Sequence, residues 1–144
     1  MPKSTNTCNS LLALLFNATN WANIADNAAS SPATSLYLSL HTANPGVGGS
    51  QLTNETTYTN YVRLAVVRTT SGWVVPSGGV TSNAALAQFA QCGASGATIT
   101  YVAIGTASSG AGTVLYAGAL NASLAVANLI QPQFAIGALT VTET

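Results

Sequence analysis

Hydrophobic and polar positions follow two different periods along the chain. Near the amino terminus the apolar residues recur at helical spacing, and Thr7 or Asn9 can cap the helix that they predict. A second short turn is predicted over Trp21–Ala25. From Ser35 onwards the period is two, because leucines alternate with Tyr37, Ser39 and His41 in the stretch LYLSLH. The change of period predicts a short helical extension over residues 1–34 and a β-rich domain over residues 35–144.

The β-rich part contains many short strand-like segments. We expect strands at residues 36–41, 61–67, 72–75, 84–91, 97–105, 113–118, 123–127, 131–135 and 139–143. Turn-forming stretches rich in Gly, Pro, Ser and Asn separate them, among them TANPGVGGS and PSGGVTSN. Many short strands with such turns favour a mainly β fold, an antiparallel β-sandwich or a jelly-roll-like domain.

Charged side chains make up 4% of the chain, against about 25% in ordinary soluble domains. They are Lys3, Arg63, Arg68, Asp26, Glu55 and Glu143. Three cations cannot form the basic surface that nucleic-acid binding requires, so we expect no nucleic-acid partner. A net charge of zero removes repulsion between copies. The composition therefore predicts a homo-oligomer, a dimer or a trimer.

Membrane, metal and redox roles find little support in the sequence. No apolar run approaches the roughly 18 residues of a membrane span, and Leu11–Phe16 is too short for the apolar region of a signal peptide. Cys8 and Cys92 are expected to be free thiols, as in a reducing cytosol. Neither has a Cys or His at metal-ligand spacing. We expect no metal and no cofactor.

His41, the single histidine, is the candidate for chemistry. A catalytic triad needs a histidine that is held by an acid and faces a hydroxyl. None of the acids lies in a recognisable motif, and no serine stands in a G-x-S-x-G elbow. We therefore predict that the protein is not an enzyme. The expected role of His41 is to hydrogen-bond the backbone of the turn that follows its strand, or to contact a neighbouring subunit.

The remaining candidates are interface residues. Arg63 and Arg68 are five positions apart, so an unbroken strand would point them to opposite faces. Two solvated arginines are the simpler interpretation, but arginine is enriched at protein interfaces. Trp73 is expected in the core, and the neighbouring tyrosines at a contact surface. The candidate interface residues are Tyr58, Tyr61, Arg63, Arg68 and His41.

Several stretches carry a resemblance to a known group of proteins. They are the strand followed by HTANPG, the segment YTNYVR and the closing FAIGALTVTE, within a similarity that covers most of residues 35–143. This pattern resembles small virion proteins of tailed bacteriophages, which are commonly labelled tail-fibre proteins; some look like capsid cement or decoration proteins. The shared motifs are structural and include no catalytic residue.

The resemblance implies a non-enzymatic virion protein, with two possible locations. A capsid cement protein would bind the outer capsid surface as a homo-oligomer, contact the major capsid protein and stabilise the shell. A fibre or appendage module would instead bind the host surface. Because a chain of this length leaves little material for a fibre shaft, we expect the cement role at the capsid surface, after assembly in the bacterial host cytoplasm.

Overall fold

A computed structural model describes residues 3–21, 24–25 and 32–144. The described chain is mainly β, with antiparallel pairing and a short amino-terminal helix, which confirms the predicted fold class. The elements are α1 (Thr5–Phe16), β1 (Ser35–His41), β2 (Leu64–Val67), β3 (Val80–Ser82), β4 (Ala87–Gln88), β5 (Ala97–Gly105), β6 (Val114–Val126), β7 (Gln133–Phe134) and β8 (Thr140–Thr142). They form a four-stranded sheet of order β2-β1-β5-β6 and the two-stranded sheets β3-β8 and β4-β7.

The chain divides into two compact units. Unit 1 comprises Met1–Ser35, Val66–Ala87 and Phe134–Thr144, and unit 2 comprises Leu36–Ala65 and Gln88–Gln133. The amino-terminal segment therefore belongs to the same unit as two later segments. The sequence had instead divided the chain once, near residue 34, into an extension and one sandwich domain; that arrangement stays a prediction.

Helix α1 begins earlier than the sequence predicted. Ser4 has an extended backbone, and its hydroxyl accepts a hydrogen bond from the Thr7 amide at 3.2 Å, so Ser4 is the N-cap. Thr7 and Asn9, the two predicted caps, lie inside the helix. The Asn9 side-chain oxygen has a tertiary role instead, since it accepts from the Gly79 amide at 2.6 Å. Further along, Trp21 and Ala25 exchange backbone hydrogen bonds, and the predicted turn between them lies partly outside the described residues.

Aromatic packing holds α1 within unit 1. Leu12 and Phe16 are fully buried, and the Phe16 ring meets the Trp73 ring edge to face with centroids 4.7 Å apart. The Asn17 amide donates to the Trp73 carbonyl at 3.1 Å, directly after the helix. The helix therefore packs on residues of its own chain, and Trp73 is a core residue as expected.

A buried asparagine joins the two later segments of unit 1. The Asn83 amide nitrogen donates to the carbonyls of Ala85 and Ala135, both at 2.8 Å. Its side-chain oxygen accepts from the Leu139 amide at 2.9 Å. All three contacts satisfy buried polar groups, so this single side chain fixes residues near 135–139 beside residues 83–85.

Two strand predictions need correction in detail. The segment 72–75 was expected to be a strand, but Trp73 makes only an isolated bridge, to Asn83. Strand β3 lies where the sequence indicated a turn, because the turn is confined to the residues around Gly78 and Gly79, both with positive φ. Residues on either side of that tight turn are then free to pair.

Strand β6 contains an interruption that the sequence had indicated. Ile99 pairs with Leu124 and Tyr101 pairs with Ala119, so Thr100 of β5 lies opposite residues 120–123. Such an excess of residues on one strand is a bulge. The two strands predicted at 113–118 and 123–127 lie on either side of this interruption, and a second shift of register separates Val114 from Tyr116.

Candidate functional site

Four of the five predicted site residues, His41, Tyr58, Tyr61 and Arg63, lie in unit 2, and Arg68 lies in unit 1. Three of them surround Glu55, an acid that the sequence analysis did not select. The isolated bridge between His41 and Glu55 brings the end of β1 beside the loop that carries the acid. The result is a buried polar cluster of His41, Glu55, Tyr61 and Arg63.

Arg63 and Glu55 form the centre of this cluster. The Arg63 Nε donates to Glu55 Oε1 at 2.6 Å, and Nη2 donates to Oε2 at 2.7 Å. The two side chains are only 2% and 11% exposed. Two-point contact of this kind matches the planar guanidinium to the carboxylate and satisfies both charges. The pair is therefore a buried structural ion pair.

The same guanidinium also holds a surface loop. Its Nη1 donates to the Ala107 carbonyl at 2.9 Å, and its Nη2 donates to the Gly110 carbonyl at 2.7 Å. Both carbonyls belong to the loop between β5 and β6, which contains the stretch TASSGAG. Because a guanidinium has five N–H donors, one side chain can bind the carboxylate and the loop at the same time.

The tyrosines are hydrogen-bonded within unit 2. The Tyr61 hydroxyl donates to Glu55 Oε1 at 2.9 Å and accepts from the Leu40 amide at 3.1 Å. The Tyr58 hydroxyl donates to the Ala90 carbonyl at 2.8 Å. Burial raises the pKa of Tyr58 to about 12 and raises the pKa of Tyr61 further, so both phenols stay protonated.

His41 is fully buried and has a partner at each ring nitrogen. Its Nδ1 lies 2.9 Å from the Thr53 carbonyl oxygen, which only accepts, so Nδ1 carries the proton. The Nε2 then accepts from the Ser39 hydroxyl at 2.9 Å. Of the two structural roles predicted for His41, the structure shows the hydrogen bond to the backbone of the following loop.

This Ser39–His41 pair has the arrangement of a hydrolase dyad, with a backbone carbonyl where a triad has its acid. Both residues are 0% exposed, so neither presents an atom to a substrate in this conformation. The nearby carboxylate, Glu55, is engaged by Arg63 and Tyr61. The geometry holds a strand and a loop together and gives no access to a reacting group.

A buried glutamine, also missed by the sequence analysis, completes the attachment of the loop. Gln51 is 0% exposed, its Nε2 donates to the Tyr37 carbonyl at 3.3 Å, and its Oε1 accepts from the Ala107 amide at 3.0 Å. A Cβ at Gly105 or at Gly112 would overlap the Gln51 side chain. The glycines of this loop therefore make room for one amide side chain.

Arg68 has a comparable role in unit 1. Its Nε donates to the Leu15 carbonyl at 2.7 Å, and Nη2 donates to the Leu14 carbonyl at 2.6 Å. These carbonyls belong to the last turn of α1, where helix carbonyls have no partner within the helix. The positive charge also complements the negative end of the helix. Its Nη1 bonds the Ala33 carbonyl at 2.6 Å, so the same side chain connects the helix to the segment before β1.

Every charged side chain in the described part of the chain has a partner within the same chain. Lys3 contacts Glu143, Arg63 binds Glu55, and Arg68 binds helix carbonyls. Asp26 lies outside the described residues. The described surface therefore presents almost no unpaired charge to a partner.

The described residues offer no cluster of metal-binding side chains. No group of three or more His, Cys, Asp or Glu side chains comes together there. Cys8 and Cys92 are both buried free thiols. No helix in the described ranges is long and apolar enough to span a membrane.

The interface role proposed for the five candidates stays a prediction. The structure gives each of them a partner inside its own unit, and Tyr58, Arg63 and His41 expose 8% of their surface or less. Apolar residues are more exposed elsewhere, among them Leu52 at 54% and Val62 at 63%. Leu52 and Val62 therefore offer more accessible apolar area for a contact than Tyr58, Arg63 and His41 do.

A family comparison identifies the chain as a structural protein of a tailed-phage virion. The matching family model is described as podophage GP4 fiber I protein gp80 and covers residues 3–142. The chain belongs to this family. No curated protein matches it.

The Arg68 contacts give a first prediction. Replacing Arg68 with Met keeps the length of the side chain and removes all donors to the α1 carbonyls. We expect the free energy of unfolding to fall by about 2 kcal/mol, the scale of hydrogen bonds to a charged group. Arg68→Lys should recover part of the loss. Urea unfolding followed by circular dichroism measures both, with Lys3→Met as a control that removes an exposed cation; equal losses for Arg68→Met and Lys3→Met would contradict the role of Arg68.

The Gln51 contacts predict a coupling between two positions. Gly105→Ala should destabilise the fold by roughly 1–3 kcal/mol, because the new methyl group overlaps the Gln51 side chain. In the double variant with Gln51→Ala the overlap is gone. The double variant should therefore lose less stability than the sum of the losses in the two single variants. Gly118→Ala is the matched control, since its Cβ meets no atom within 4 Å. Strictly additive losses in chemical unfolding would contradict the steric explanation.

His41 predicts a dependence of stability on pH. Burial lowers the pKa of His41 and outweighs the Thr53 carbonyl and Glu55, which raise it. Between this lowered pKa and the unfolded value of about 6.5, the unfolded chain binds more protons than the folded chain. The free energy of unfolding should therefore fall as the pH drops below about 6.5, by at most about 1.4 kcal/mol per pH unit. His41→Gln should flatten this slope just below about pH 6.5; an unchanged slope in the variant would assign it to another group.

Proposed function

We propose that this chain is a non-enzymatic structural subunit of a podophage fibre. The observation that carries the proposal is the internal engagement of its charged groups: the described ion pairs and guanidinium contacts all hold the chain's own loops and helix. A side chain that is used in this way is not available to bind or transform a ligand.

The exposed surface supports an assembly role. Leu52, Val62 and Leu129 are each more than half exposed in unit 2, and Val75 and Ile136 are in unit 1. Exposed apolar residues next to uncharged polar ones are typical of surfaces that become covered by neighbours. Contacts of this type depend on shape and apolar area, so they should respond little to ionic strength.

The fibre and the capsid cement remain the two alternatives for the location. The cement role expected from the sequence relies on the same neutral surface. The family description favours the fibre, because it names a fibre protein. We therefore place the fibre first and treat stabilisation of the capsid as the competing outcome of one experiment.

The absence of catalysis is part of the proposal. Ser39 and His41, the one hydroxyl–imidazole pair with a suggestive geometry, are buried and hydrogen-bonded within unit 2. A fluorophosphonate probe, which labels activated serines, should leave the folded protein unmodified. Labelling that disappears in Ser39→Ala would overturn this part of the proposal.

Particles that lack the protein distinguish the two locations. If the chain is a fibre subunit, particles made without it should melt at the wild-type temperature and adsorb poorly to host cells. If it is a cement, they should melt at a lower temperature and adsorb normally, because a ligand of the assembled shell stabilises that shell by mass action. Thermal release of DNA and adsorption are measured on the same samples. Complementation with the wild-type gene is the control. A lower melting temperature together with unchanged adsorption would contradict the fibre proposal.

A further inference from the structure

A surface loop over residues 42–54 returns to the end of β1. Most of its residues are exposed, and its tip carries Val47, whose side chain is fully exposed. The Thr42 amide donates to the Asn54 carbonyl at 2.9 Å, so the two ends of the loop lie side by side. The Asn54 side chain also donates to the Asn44 carbonyl at 2.9 Å. A compact surface loop whose ends meet in this way can open while the rest of the fold stays intact.

His41 is the side chain that binds the returning end of this loop. Its Nδ1 donates to the Thr53 carbonyl at 2.9 Å, and its Nε2 accepts from the Ser39 hydroxyl at 2.9 Å. One step further along, the Thr56 amide donates to the Leu40 carbonyl at 2.9 Å. Because the imidazole is 0% exposed, it meets water only when a neighbouring segment moves. The segment that ends the loop is held to it by a hydrogen bond.

The hydrogen bonds of His41 fit only the neutral ring. The Thr53 carbonyl needs the proton on Nδ1, and the Ser39 hydroxyl needs a bare Nε2. A second proton, on Nε2, would turn the Ser39 oxygen into an acceptor. The hydroxyl hydrogen would then lose its acceptor, since within the described residues this hydroxyl bonds to His41 alone. A buried donor without an acceptor is unfavourable, so protonation and the closed loop oppose each other.

The charges around His41 do not compensate a second proton. Glu55, Tyr61 and Arg63 lie on the segment after the loop, and Tyr101 of β5 is the pairing partner of His41. Burial has the largest effect on the pKa of His41 and lowers it, Glu55 raises it, and Arg63 lowers it. The Glu55 carboxylate already binds the Arg63 guanidinium at two points. An imidazolium would therefore be one buried cation in excess, which is unfavourable.

We propose that His41 is a proton-sensitive latch for the 42–54 loop. The neutral imidazole binds the Thr53 carbonyl and keeps the loop closed, and uptake of a proton favours an open loop in which the ring reaches water. Gln51 and Glu55 are held by their own contacts on either side of Thr53, so the opening centres on residues 52–54.

Opening of the latch changes the apolar tip of the loop. The Asn54 side chain holds the Asn44 carbonyl, so movement of Asn54 releases the first half of the loop as well. The tip with Val47 is then attached to the fold only through its chain ends. The latch belongs to the isolated chain, so it acts whether the chain is part of a fibre or of a capsid surface.

Hydrogen exchange of single amides, followed by nuclear magnetic resonance, tests the latch. The protection factor of the Thr42 amide, corrected for the intrinsic exchange rate, should fall as the pH drops below about 6.5, the ordinary pKa of a histidine in water. The fall should reach at most about tenfold per pH unit, because the open loop binds one proton more than the closed loop. The Phe89 amide, which donates to the Pro132 carbonyl at 2.9 Å in the same unit, should keep its protection.

His41→Gln is the matched variant, because a carboxamide offers one donor and one acceptor but does not titrate. In this variant the protection of the Thr42 amide should no longer depend on pH, and a dependence that persists would overturn the role of His41. Parallel loss of protection at Thr42 and Phe89 in the wild type would show that the whole unit unfolds, and would overturn the local latch. Constant protection of Thr42 would also overturn it. The wild type alone decides these last two outcomes, even if the variant does not fold.

Discussion

The bidentate contact between Arg63 and Glu55 is the interaction on which the rest of unit 2 depends. Burying two charges is unfavourable unless each is fully hydrogen-bonded, and removal of one partner of a buried pair costs about 3–5 kcal/mol. Here the carboxylate binds the guanidinium and the Tyr61 hydroxyl, and the guanidinium also binds two loop carbonyls. In a chain with so few charges, the pair joins the segment 55–63 to the loop at residues 107–110, which is 44 to 47 positions away in sequence.

The fold class and several elements were predictable because they depend on local patterns. Strand β5 was placed at 97–105, where apolar residues with high strand propensity stand between two glycine-containing turns. The structural role of His41 followed from its position between a strand and a turn, and the Thr53 contact agrees with it. The break within β6 was visible in the sequence as well, since the small and polar residues around Asn121 interrupt the alternation.

The partners of the polar residues were not predictable, because they come from parts of the chain that are far apart. Nothing near Arg63 in the sequence indicates that its guanidinium reaches carbonyls 44 and 47 positions away. Arg68 reaches carbonyls 53 and 54 positions away. In a neutral chain an isolated arginine suggests a binding role, and the structure gives both arginines internal carbonyl partners instead. The sequence around Gln51 does not indicate that its side chain is buried. The glycines that make room for this side chain look like ordinary turn residues when only their sequence neighbours are considered.

The buried cluster and the start of β6 are connected through one loop. Residues 106–113 join β5 to β6, and the loop is held by Arg63 at Ala107 and Gly110 and by Gln51 at Ala107. The backbone N–H of Gln51 also donates to the Gly112 carbonyl at 2.8 Å, shortly before β6 begins. The position at which β6 starts, and therefore the register in which it pairs with β5, is set by these contacts.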